Sequence, residues 1–123
     1  MEFVERKKLV RDNIPYICMK DGRYFFGEVL GSDTEFLHAL LEKLNEELAE
    51  VEDAILLEKG DPLEELVDLV TVWQTLCGLL GFSEQAILDA WQVKADEKGL
   101  FKKRYFMHGI GGLDEEYEKE QGR

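Results

Sequence analysis

Four carboxylates, Glu47, Glu50, Glu65 and Asp68, have the types and spacing that could do chemistry. Each consecutive pair is spaced i, i+3, so on an α-helix both members share a face. Glu65 and Asp68 lie on a face that continues as Val72, Thr75, Leu76 and Leu79, so they are expected to enter a packed layer. Left unneutralised there, each ion would cost several kcal/mol. Hard cations resolve that conflict, because Mg²⁺ or Mn²⁺ takes carboxylate oxygen and keeps waters that a phosphate can displace. Metal ligation by Glu47, Glu50, Glu65 and Asp68 is therefore expected. Lys94 and Lys98 continue the Ile87, Ala90 and Trp91 stripe and read as phosphate ligands beside the metal, and Lys8 and Arg11 belong to the other local excess of cations. His38 and His108 have no recognisable partners, so nucleophilic side-chain catalysis is set aside.

These residues need helices to position them. From residue 34 to about 58, Leu37, Leu40, Leu41, Leu44, Leu48, Val51 and Ile55 recur at threes and fours, which predicts a long amphipathic helix capped by Ser32 or Asp33. Glu47 and Glu50 flank that stripe with Lys43 one turn before, while Glu46 points nearly opposite it. Lys59-Gly60-Asp61-Pro62 supplies a stop and a start, so a second helix over 62–80 should return antiparallel to the first. That helix is apolar almost all round, which predicts burial on several sides. A third helix runs from Ser83 to near Gly99. Asn13-Ile14-Pro15 breaks any helix begun at Lys7, and residues 24–30 and 104–110 read as short strands that could pair as a ribbon. The expected fold is mainly all-α: an antiparallel helical bundle with short flanking β-strands, one domain over 1–110, and a flexible acidic tail over 111–123.

Composition sets the class. The 123 residues carry 27 acids against 15 Lys plus Arg, a net charge of -12, which disfavours nucleic acid polymers and anionic lipid. The longest apolar stretch, 69–82, is broken by Gln74 and is too short to span a bilayer. Cys18 and Cys77 alone build neither a disulfide framework nor a CxxC metal site. A cytoplasmic protein without a membrane partner is expected.

Four strings in order resemble one family. Lys43-Leu44-Asn45-Glu46-Glu47-Leu48-Ala49-Glu50 and Glu65-Leu66-Val67-Asp68 resemble the EExxE and ExxD signature of the MazG-like, all-α nucleoside triphosphate pyrophosphohydrolases. Lys8-Leu9-Val10-Arg11-Asp12-Asn13-Ile14-Pro15 and Lys94-Ala95-Asp96-Glu97-Lys98-Gly99-Leu100-Phe101 look like the single-domain, phosphoribosyl-ATP pyrophosphohydrolase-like branch. The resemblance covers residues 8 to about 108 and departs at Asn13, commonly Lys, and at Leu100, commonly glycine.

The resemblance implies a homodimer or dimer of dimers, Mg²⁺ held by Glu47, Glu50, Glu65 and Asp68, and hydrolysis of a nucleotide substrate to monophosphate and pyrophosphate, often to clear non-standard nucleotides. The expected mechanism has metal across the phosphates and an activated water, with Glu47 or Glu50 as base. Phosphoribosyl-ATP hydrolysis is a second enzymatic reading, and an acidic helical interaction module is the non-enzymatic one.

Overall fold

Each helix boundary follows from a capping or punctuating residue. In the computed structural model, which describes residues 5–112, four helices follow one another: α1 (Ile14–Lys20), α2 (Asp33–Leu56), α3 (Pro62–Leu79) and α4 (Glu84–Lys98). The Ser32 hydroxyl accepts the Glu35 N–H at 3.1 Å, and Asp33 and Glu35 place negative charge on the positive end of α2. Its C-terminus closes when the Leu57 N–H donates to Asp53 O at 2.9 Å, after which Glu58 turns left-handed at φ 54. Gly60, at φ 102, completes the reversal. The Asp61 carboxylate then accepts the Leu63 N–H at 3.0 Å, and Pro62 starts α3 at a position where its missing N–H costs nothing.

Two compact units divide the chain, Met1–Glu84 and Gln85–Arg123. In the first, the connection over 57–61 folds α3 back along α2, and these two are its contacting helix pair among the described residues. The buried line on α2 is Leu40, Glu47, Val51 and Ala54. Leu40, Glu47 and Ala54 are seven residues apart, so a carboxylate occupies a position that a helix seam gives to an apolar side chain. The stripe read from the sequence is wider than this: Leu41, Leu48 and Ile55 are exposed.

Several expectations are corrected. The break at Asn13-Ile14-Pro15 holds, with no helix over residues 5–13, but an unexpected helix follows it: Pro15 stands in the first turn of α1, which its fixed φ suits. Residues 24–30 and 104–110 form no strand. Their side chains are largely exposed, and Arg104 sits at φ 62, outside strand geometry, so neither run has the half-buried pleated surface that favours pairing. None of the α3 residues is buried, and Leu63, Leu66, Val67, Val70 and Trp73 are exposed. The α4 stripe is likewise not buried, and Trp91 is exposed. Of the expected tail, Gly111 and Gly112 carry no regular structure and 113–123 lie outside the described residues. No single helix among the described residues is long and apolar enough to cross a membrane.

Candidate metal centre

The seam of α2 and the first two turns of α3 bring three carboxylates together. Glu47, Glu65 and Asp68 each offer one oxygen, and these atoms all lie within 4.8 Å of one another, close enough to hold a metal ion. Glu65 and Asp68 reach the seam from one face because they are separated by three residues near the α3 N-terminus, where the helix dipole favours negative charge. Glu47 is 5% exposed. Its Oε1 pairs with Lys43 Nζ at 3.1 Å, but its Oε2 is buried without a hydrogen-bond partner, as is Glu65 Oε2. Buried orphaned oxygens are costly in a folded protein unless something else satisfies them.

The electrostatics agree. Burial holds the Glu47 carboxyl above its ordinary value; the Lys43 ammonium pulls it down, and the neighbouring Glu50 carboxyl pushes it up again. Burial lowers Lys43, yet its hydrogen bonds to Glu47 and Glu46 outweigh that and raise it overall. On the opposite side Arg11 Nη2 donates to Asp68 Oδ1 at 2.6 Å and approaches Thr71 Oγ1 at 3.4 Å. Arg11 comes from the irregular segment before α1, which this contact ties to α3.

An open cleft of about 1080 Å³ has Lys8, Arg11, Lys43, Glu47, Glu50 and Asp68 on its walls, while Glu65 lies outside its lining. An all-oxygen donor set suits a hard ion over a soft one. Glu47, Glu65 and Asp68 thus have the donor chemistry and the spacing to hold a metal ion.

Glu47, Glu65 and Asp68 are gathered as expected, whereas Glu50 is exposed and lies beside Glu47 at the cleft, outside the group of three. Lys8 and Arg11 both line the cleft, Arg11 in contact with a carboxylate. Lys94 and Lys98 are exposed on α4, in the second unit. Glu46 does not turn away from the site's charges: Lys43 bridges it at 3.3 Å and Glu47 at 3.1 Å. Lys43 itself was not singled out as a site residue; its i, i+4 spacing to Glu47 was the available signal. A scan of protein-family models and searches of curated proteins and of solved structures each return no match to this chain.

Proposed function

We propose that the chain is a Mg²⁺- or Mn²⁺-dependent nucleoside triphosphate pyrophosphohydrolase of the MazG-like kind, releasing monophosphate and pyrophosphate. The observation that carries the reading is the grouping of Glu47, Glu65 and Asp68, each with an oxygen within 4.8 Å of the others, in which Glu47 and Glu65 each keep a buried oxygen without a hydrogen-bond partner. Glu47, Glu65 and Asp68 hold the ion, and the exposed Glu50 joins from the cleft side. When bound, a divalent ion neutralises charge on the phosphates and makes water a better nucleophile. Glu50, which keeps access to solvent while Glu47 is committed to Lys43, takes the proton as general base. Arg11 and Lys8 hold substrate phosphate at the cleft wall, and Lys43 fixes the rotamer of Glu47. For Lys94 and Lys98 the phosphate role rests on the sequence strings alone.

The exposed apolar residues of α3 favour assembly as a homodimer or dimer of dimers, since so many large side chains on one helix are unusual for a free surface. Pyrophosphate release from canonical, deoxy and damaged triphosphates, and from phosphoribosyl-ATP, with and without Mg²⁺, tests the reading. Metal-dependent release from at least one nucleotide is expected; none from any would leave the interaction module as the better reading.

A further inference from the structure

Two cations reach the gathered acids, and they are held very differently. Arg11 Nη2 donates to Asp68 Oδ1 at 2.6 Å and approaches Thr71 Oγ1 at 3.4 Å, so a single nitrogen makes both contacts. The Thr71 hydroxyl donates its own proton to Val67 O at 2.8 Å, which leaves it only an acceptor toward the guanidinium. Arginine grips a carboxylate most firmly through two parallel N–H···O bonds, and this grip has one. The Arg11 and Asp68 side chains are 56% and 38% exposed, so water can replace either partner. Lys43 is the opposite case: its side chain is 16% exposed, and Glu46 and Glu47 both hold its ammonium. Among the described residues, the polar contacts that join segment 5–13 to the α2–α3 pair are the two that Arg11 makes.

We infer that Arg11 is a displaceable stand-in for the metal: it holds Asp68 in competition with a divalent ion, yields to that ion, and is thereby released to meet an anion. The inference rests on the metal-dependent reading of Glu47, Glu65 and Asp68 and adds an order to it, cation before anion. Asp68 serves the group of three through an oxygen within 4.8 Å of those of Glu47 and Glu65. The two oxygens of a carboxylate share one charge. An ion at about 2.0–2.6 Å from either of them therefore draws charge away from Oδ1 and repels a guanidinium on the same group. A doubly charged ion held by three carboxylates prevails over a singly charged group held by one. Once displaced, Arg11 still belongs to the cleft wall, beside Lys8 of the same segment. Until then Asp68 neutralises it, and an anion gains little from its charge.

Titration of the full chain with Mn²⁺ alone, followed by the EPR signal of the free ion, tests this, because a competitor and a support for Asp68 change affinity in opposite directions. Arg11→Gln should bind Mn²⁺ about three- to fivefold more tightly than the unmutated chain, the loss of a half-exposed ion pair written as a ratio of Kd. Arg11→Lys, which keeps a competing cation, should stay close to the unmutated Kd. Weaker or unchanged binding in Arg11→Gln, or equal tightening in both variants, overturns the inference, while Mn²⁺ binding by the unmutated chain keeps the metal reading alive. Failure of all three chains to bind overturns both. A second readout needs no variant: Mg²⁺ should speed tryptic cleavage after Lys8 in the unmutated chain, since segment 5–13 loses its tie to α3, and the fragment mass identifies the cut. Cleavage slowed or unchanged by Mg²⁺ means that the segment stays fastened, and overturns the inference.

Discussion

Glu47→Gln should make the metal-free protein more stable and abolish the stabilisation that metal confers. The carboxylate sits on the α2 seam between Leu40 and Ala54, with one oxygen on Lys43 and one unpartnered. An unsatisfied buried oxygen costs about 1–3 kcal/mol. A glutamine of the same shape removes the charge from the buried position, whereas Lys43 keeps Glu46 at 3.3 Å. Part of the gain is offset by the lost Lys43–Glu47 ion pair, leaving about 1 kcal/mol, or a rise of several degrees in Tm for a chain of this size. The sign of the pH dependence follows. Because the folded state raises the Glu47 pKa above its ordinary 4.5, stability is fully present below about 4.5 and is lost as pH climbs through the folded value. The advantage of Glu47→Gln over the unmutated chain should therefore vanish at low pH and grow toward neutrality. With metal the order inverts, since an ion at a hundredfold excess over Kd adds about 2.7 kcal/mol to a folded state that can bind it. Melting curves between pH 4 and 7.5, with and without millimolar Mg²⁺, measure all of this. A lower metal-free Tm in Glu47→Gln, or a Mg²⁺ shift equal to that of the unmutated chain, would refute the reasoning.

Asp68→Asn should lower turnover by at least about 100-fold, while melting without metal falls by no more than about 1 kcal/mol, because the Arg11–Asp68 pair is half exposed; an unchanged kcat would remove Asp68 from the site. Arg11→Ala should raise KM for the triphosphate more than it lowers kcat, and an effect on kcat alone would deny it a phosphate contact. Gly60→Ala should destabilise by about 1–2 kcal/mol in urea unfolding, because φ 102 is strained for any L side chain, and no change in midpoint would mean that the turn relaxes. Val67→Glu, on the exposed face of α3, should shift light-scattering mass toward the monomer and leave the helix content unchanged; an unaltered assembly would place the contact elsewhere.

The boundaries of α2, α3 and α4 were legible because they are set locally, by Ser32, by Asp61 with Pro62, and by Gly81 and Gly99, whose φ angles are 85 and 79. Glu47, Glu65 and Asp68 were legible because helical spacing and a short connection are enough to bring them together. What spacing could not reveal was depth. Helical periodicity placed Glu47 on the flank of a stripe, yet the line that is buried runs through it, since the α2–α3 crossing decides which residues of a wide apolar band are covered. The same limit explains α3, whose apolar faces exceed what α2 covers. Glu46 points off the stripe, as a helical wheel implies, but a wheel follows Cβ directions and does not show that the Lys43 side chain reaches both the i+3 and the i+4 carboxylate. The aromatic runs at 24–30 and 104–110 have strand-like composition without a partner, and pairing is a tertiary event that composition does not determine.

Crystals soaked in Mn²⁺ give the most direct test. Ligation by the gathered carboxylates requires one anomalous peak within about 2.0–2.6 Å of oxygens from Glu47, Glu65 and Asp68. No peak at these oxygens at millimolar Mn²⁺, with Lys43 and Arg11 still closing the cluster, would contradict it.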